Sequence, residues 1–127
     1  MKLPILSKII KSLAILAVIA GIIIFLGHNY INTIEKRQTI VEIPKKTAKT
    51  LFFYRDDCSD CQAVFHQVFW HDKFSKHDVL FINTNQTKNR KYIEEYQLDA
   101  VPTFINSSDE RYTGTDLAQI KKVVGEK

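Results

Sequence analysis

Between Lys11 and Glu35 the chain carries no charged side chain, a gap of 23 residues. Its centre, residues 13–26 (LAILAVIAGIIIFL), is wholly without strongly polar groups. At 1.5 Å per helical residue the gap is long enough to cross about 30 Å of hydrocarbon. Residues 25–29 (Phe-Leu-Gly-His-Asn) offer neither an A-x-A cleavage site nor a cysteine for lipid attachment, so the segment reads as an uncleaved anchor rather than a removed signal peptide. Ile5, Leu6, Ile9 and Ile10 extend the apolar helix while Lys8 and Lys11 snorkel. Lys2, Lys8 and Lys11 hold the N-terminus in the cytoplasm, which makes the protein a single-pass cell-membrane protein with an extracytoplasmic C-terminal domain. We read residues 1–27 as the signal anchor, 28–38 as a stalk and 39–127 as one domain, at the small end of chains that fold alone.

The charge balance narrows the partners. The net charge is +4, but beyond residue 27 there are 15 basic and 14 acidic residues, interspersed. A nucleic-acid binder would carry a basic face on the domain itself, so nucleic acid is excluded as a partner. Lys45, Lys46 and Lys49 form a short cluster that reads as a solvated loop, with anionic lipid headgroups as the alternative contact. Four glycines and three prolines argue against disorder or low complexity, and two cysteines cannot build a disulfide scaffold.

The periodicity of residues 39–127 alternates between strand and helix. Residues 39–43 are β-branched and alternating, which predicts a strand, and 44–50 (PKKTAKT) a loop. Residues 51–54 are a continuous apolar run, the pattern of a central strand buried on both faces, and 79–82 read as a second buried strand. Cys61, Val64, Phe65, Val68 and Phe69 follow helical spacing. Tyr92, Ile93 and Tyr96 mark a further helix ending near Asp99. Residues 103–106 and 111–113 read as a hairpin, and Thr115 as the cap of a last helix burying Leu117, Ile120 and Val124. Phe52, Phe53, Phe65, Phe69, Phe81 and Phe104 are expected in the core, with Tyr92 and Tyr96 packing on a helix face. Trp70 is expected in the core or at the domain edge, with a substrate groove as its alternative. The whole implies an α/β fold, a sheet covered by helices.

Cys58-Ser59-Asp60-Cys61 falls where the first buried strand turns into a helix. Residues i and i+3 of a helical turn have Cβ atoms about 5–6 Å apart, close enough to form a disulfide. Cys58 lies at the helix N-terminus, where free N–H groups favour a thiolate, and Cys61 one turn further in. The asymmetry assigns roles: Cys58 attacks and Cys61 resolves the mixed disulfide. A bridge across two residues constrains almost nothing in the unfolded chain, so a reversible redox function fits better than a structural one.

Residues 51–62 (LFFYRDDCSDCQ) and 96–104 (YQLDAVPTF) resemble the central strand with its active-site turn, and the cis-proline segment, of the thioredoxin-like family. Gly114 matches the family's glycine on the same groove. The resemblance implies a mixed four- to five-stranded sheet flanked by helices, a cis Val101–Pro102 bond, and a groove of Val101, Pro102 and Gly114 in which the Val101 backbone binds an extended substrate. It departs from the family at three points. Phe52 stands where the family's reductases often bury a carboxylate, and Asp57 where an aromatic residue often precedes the first cysteine. Residues 44–50 are too few for the usual first crossover helix, so that helix is expected short or missing. Around the pair, Arg55, Asp57, Ser59 and Asp60 are expected to tune the site. The two aspartates disfavour a thiolate and Arg55 offsets one of them, which predicts a reducing or isomerase-like potential.

The resemblance thus implies a thiol–disulfide oxidoreductase with no cofactor beyond a Cys58–Cys61 disulfide. Its partners are protein or peptide thiols and disulfides, a redox protein that recycles the site, and the membrane through the anchor. The architecture is similar to that of accessory proteins of Gram-positive bacteriocin systems, thought to form or correct disulfides in exported peptides. Two alternatives stand beside it: a thioredoxin-like peptide-binding module without turnover, and a zinc site joining the cysteines to His66, His71 or His77. The spacings Cys61-x4-His66 and Cys61-x9-His71 fall short of the familiar zinc finger.

Overall fold

The structure, a computed structural model, describes residues 2–75 and 78–125. It divides into two compact units, Met1–Ile34 and Glu35–Lys127. The first is the body of α1 (Lys2–Glu35), a helix of 34 residues and therefore about 50 Å long. Its leucines and isoleucines are exposed around the circumference, including Leu13, Leu16, Ile19 and Ile23. By length and composition it can cross a membrane. The polar residues 28–35, read as stalk, continue the same helix.

The second unit runs β1 (Thr50–Tyr54), α2 (Ser59–Phe74), β2 (Val79–Asn83), a 3-10 turn (Thr87–Asn89), α3 (Lys91–Glu95), β3 (Thr103–Ile105), β4 (Arg111–Thr113) and α4 (Leu117–Gly125). The four-stranded sheet has the order β2-β1-β3-β4. β1 pairs parallel with β2, placing Phe52 opposite Phe81 and Tyr54 opposite Asn83. It pairs antiparallel with β3, and β3 antiparallel with β4, so the sheet is mixed as expected.

The apolar run of β1 explains its central place, because a strand covered on both faces needs no polar alternation. Successive side chains point to opposite faces. Leu51 and Phe53 join Ile82, Tyr92 and Ile105 on one face. On the other, the Phe52 ring stacks on Phe104 at 4.6 Å, lies 5.1 Å from Tyr54, and meets Phe81 and Phe65 at 5.6 and 6.1 Å. Cys61, Val64, Phe65, Val68 and Phe69 form the buried stripe of α2, together with Asp72. Phe81 is only half-buried, and Trp70 is exposed at the domain edge, stacked on Phe74.

Three elements differ from the sequence reading. Residues 39–43 form no strand, although Val41 and Ile43 are half-buried between exposed neighbours. What lies beside them is a pair of side chains instead of another strand. Asn89 donates to the Thr39 carbonyl (2.8 Å) and accepts from the Val41 N–H (2.9 Å). The Tyr92 hydroxyl donates to the Val41 carbonyl (2.8 Å) and accepts from the Ile43 N–H (3.1 Å). The backbone polar groups are satisfied, so the alternation holds, without a ladder. Residues 44–49 form bends and no helix, as their number requires.

α3 stops at Glu95, short of Asp99. Gln97 takes a left-handed φ of 52°, and the Leu98 and Gln97 N–H groups donate to the Ile93 and Glu94 carbonyls at 2.8 and 3.1 Å. This pair of bonds is the Schellman ending, with glutamine where glycine is usual. Thr115 does not cap α4. Asp116 does, its carboxylate accepting from the Ala118 and Gln119 N–H groups at 2.9 and 3.5 Å. Ile120, Val123 and Val124 are the buried face of α4, and Leu117 lies outside it.

Candidate functional site

The loop after β1 delivers Cys58 as the N-cap residue of α2, with extended φ and ψ of −97° and 118°. Its sulfur accepts the Cys61 N–H at 3.2 Å, the place a Ser or Asp oxygen takes in an ordinary cap. Cys58 is half-buried and Cys61 fully buried, both as free thiols. The Cys58 thiol donates to the Val101 carbonyl at 3.7 Å. The Val101–Pro102 peptide bond is cis. Pro102 is buried and Val101 half-buried, so the proline loop lies against the half-buried cysteine.

Gly114 reaches this loop through its backbone, its N–H donating to the Pro102 carbonyl at 3.1 Å. Its φ of +143° is one that residues with a Cβ avoid, and an added Cβ would lie 2.6 Å from the Tyr112 hydroxyl oxygen. That hydroxyl accepts the Asp116 N–H at 2.9 Å and has little room to yield. Gly114→Ala therefore costs about 1–3 kcal/mol, to be read in chemical unfolding of the full chain; an unchanged midpoint would contradict the strained geometry.

Of the expected tuning residues, Arg55 and Asp57 are held together. Arg55 contacts the Asp57 carboxylate at 3.2 Å and donates to the Asn85 side-chain oxygen at 3.1 Å. Asn85 in turn donates to Asp57 (2.9 Å) and to Asp56. The Asn85 amide first, and Arg55 after it, hold the Asp57 carboxyl below the usual carboxylate range. Ser59 and Asp60 occupy the first turn of α2 and are exposed.

Burial pushes the Cys61 thiol far up. The hydrogen bond with the Cys58 thiol adds to this, as do smaller contributions from the charges of Cys58 and Glu35, while a bond with the Arg55 backbone opposes it. Tyr54 is pushed up by burial and then by the charges of Glu35, Asp56 and Cys61.

Asn85 and Asp56, which the sequence reading did not single out, thus join Arg55 and Asp57 in one network just ahead of Cys58. Glu35 is the first charged residue after the apolar gap and belongs to the globular unit, nine residues beyond Leu26. It is 3 % exposed, and its Oε2 has no hydrogen-bond partner. Burial first, and the Asp56 charge second, push its carboxyl up to about 7 against a smaller opposing effect of Lys36.

Among the described residues no group of three His, Cys, Asp or Glu side chains comes together to hold a metal ion. His66 is half-buried with its own interactions, His71 sits in the last turn of α2, and His77 lies outside the described residues.

No protein-family model matches the sequence, and no curated protein matches it. Solved structures do. A Fasciola hepatica thioredoxin superposes with a TM-score of 0.53 at 17 % identity, covering 62 % of this chain and 81 % of its own. Oxidised mitochondrial thioredoxin 3 of Saccharomyces cerevisiae gives 0.52 at 14 % identity, covering 76 % and 87 %. A yeast structure described as showing the thiol resolving mechanism of mitochondrial 1-Cys peroxiredoxin through the glutathione/thioredoxin systems gives the same values. At such identities the likeness establishes architecture: the globular unit has the thioredoxin fold, preceded by a long apolar helix.

Proposed function

We propose that the protein is a membrane-anchored thiol–disulfide oxidoreductase acting on protein or peptide cysteines. The observation that carries this reading is the placement of Cys58 at the cap of α2, half-exposed, against the Val101–Pro102 loop, with Cys61 buried one turn behind. In the reducing direction the Cys58 thiolate attacks a substrate disulfide, forming a Cys58–substrate bond and releasing one substrate thiol. The Cys61 thiolate then attacks the Cys58 sulfur, closing the Cys58–Cys61 disulfide and releasing the second thiol. The oxidising direction is the reverse. Both need only the two sulfurs, with no organic cofactor or metal, and a second redox protein to reset the pair.

The burial of Cys61 supports the division of labour, since a buried thiol ionises poorly and is sheltered from direct attack. Val101, Pro102 and Gly114 form the groove: the Val101 backbone binds an extended segment, and Gly114 keeps the proline loop in place. Arg55, Asp57, Ser59 and Asp60 surround the entrance and tune the pair. The three lysines ahead of the apolar run place the domain on the extracytoplasmic side. There, disulfides in exported peptides are the fitting clients, bacteriocins among them.

Equilibrating the full chain in detergent micelles across thiol/disulfide buffers, with alkylation and mass to count free thiols, tests the reading. We expect one reversible two-electron transition between about −270 and −180 mV, well below the strongly oxidising value of roughly −120 mV. A midpoint near −120 mV would overturn the tuning by Asp57 and Asp60. Thiols that never pair would overturn the exchange chemistry and leave a peptide-binding module.

A further inference from the structure

One side-chain amide binds all three residues that lead from β1 into Cys58. Arg55 to Cys58 make a tight turn, closed by the Cys58 N–H donating to the Arg55 carbonyl at 3.3 Å. Asn85, on the loop after β2, gathers the side chains of that turn. Its oxygen accepts from Arg55 Nε at 3.1 Å, and its nitrogen donates to the Asp57 carboxylate at 2.9 Å and to that of Asp56. Both N–H donors of the amide are thus directed at two adjacent carboxylates. Asn85 is itself held in place. Its backbone N–H donates to the Asn83 side-chain oxygen at 3.0 Å, and the Thr84 N–H and hydroxyl donate to the Tyr54 carbonyl at 2.8 and 3.1 Å. From α2, the Gln62 amide donates to the Asp56 carbonyl at 2.9 Å. The Arg55–Asp57 ion pair would be weak alone, because both side chains are at least half exposed. The Asn85 amide is the leading reason that the Asp57 carboxyl lies below the usual range.

We propose that Asn85 is a positioning residue for Cys58: it fixes the turn that presents the sulfur and keeps two neighbouring negative charges bound to donors while Cys58 attacks. The proposal rests on the oxidoreductase reading above. Asn85 acts through the three residues that precede Cys58, not on the sulfur itself. Cys58 attacks as an anion, and a carboxylate one residue away opposes that anion unless its own charge is met by donors. Asn85 meets this need at both aspartates with one neutral group. Alanine at this position leaves both carboxylates without the amide N–H groups and Arg55 Nε without its acceptor. Aspartate keeps the shape but sets a third carboxylate against the other two. The two changes therefore separate charge from packing, since alanine loses both and aspartate loses only the favourable charge arrangement.

The test uses the full chain in detergent and the neutral disulfide dithiodipyridine, which releases one thiopyridone when Cys58 attacks and a second when Cys61 resolves. The first phase is followed in stopped flow at neutral pH. At about 10 mM salt it is expected to slow about tenfold in Asn85→Ala, the effect on a barrier of losing one hydrogen bond to a charged group. Asn85→Asp, which keeps the shape, is expected to be at least as slow. Two further readouts separate placement of charge from a loosened fold. At roughly 1 M salt, where the Debye length is about 3 Å, Asn85→Ala is expected to come within about threefold of the parent. Adding Asp57→Asn to Asn85→Ala is expected to recover a similar rate at low salt, because the nearer charge is gone. An Asn85→Ala chain that attacks at the parent rate would overturn the proposal. So would a slow first phase that neither salt nor Asp57→Asn relieves, because the loss would then be structural. A parent chain that never releases the second thiopyridone would instead overturn the oxidoreductase reading, on which the first-phase comparison does not depend.

Discussion

Cys58→Ser is expected to abolish thiol–disulfide exchange, with turnover down by about three orders of magnitude or more, whereas Cys61→Ser keeps the first attack and stalls. The asymmetry follows from burial. Cys58 is half-buried against the Val101 carbonyl, while Cys61 has no exposed surface and reaches a partner only as a neighbour of Cys58. A serine hydroxyl at 58 can still accept the Cys61 N–H and cap α2, so the fold survives and the loss is chemical. With Cys61→Ser the mixed disulfide on Cys58 has no resolving thiol and accumulates. Non-reducing electrophoresis of the two variants, incubated with a disulfide-bonded peptide, separates the outcomes. Covalent adducts are expected with Cys61→Ser and none with Cys58→Ser. Adducts through Cys61 in the Cys58→Ser chain would reverse the roles; full biological activity of Cys58→Ser would point to a binding module.

The parts of this architecture legible in the sequence are those set by local pattern. Strand β1 announces itself as an apolar run because both its faces are covered, β2 does so at the edge of the sheet with Leu80 and Phe81 only half-buried, and the stripe from Cys61 to Phe69 shows the buried side of α2. The cysteine pair at the strand–helix junction carries its own geometric argument. The cis Val101–Pro102 bond does not, since nothing local separates it from the trans majority, and only the family resemblance points to it. Residues 39–43 show the limit of periodicity. Alternation says that a segment is extended with one face inward, but not whether its backbone meets a strand or the side chains of Asn89 and Tyr92. Glu35 was illegible for a related reason. A glutamate after an apolar helix reads as its solvated end, whereas here it is buried and its backbone carbonyl accepts from Asn83, 48 positions away in the chain. Asn85 gathers Arg55, Asp56 and Asp57 across 28 to 30 positions.

Phe52→Asp is expected to unfold the domain instead of bringing the chain closer to the reductases whose buried carboxylate occupies this position. The Phe52 side chain is fully buried, with Tyr54, Phe65, Phe81 and Phe104 around its ring. Truncating a buried phenylalanine costs about 3–5 kcal/mol from lost transfer energy and the cavity left behind. A carboxylate in the same space meets no donor from those four neighbours apart from the Tyr54 hydroxyl at its ring's far end, and desolvation adds several kcal/mol more. Together these approach or exceed the roughly 5–15 kcal/mol that a domain has in total. Phe52→Leu, which keeps an apolar side chain, is expected to cost about 1–2 kcal/mol and leave a cooperative transition. Near-UV circular dichroism of the full chain distinguishes them: a retained aromatic spectrum for Phe52→Leu and its collapse for Phe52→Asp. A Phe52→Asp protein with a native spectrum would show that the aromatic cluster yields.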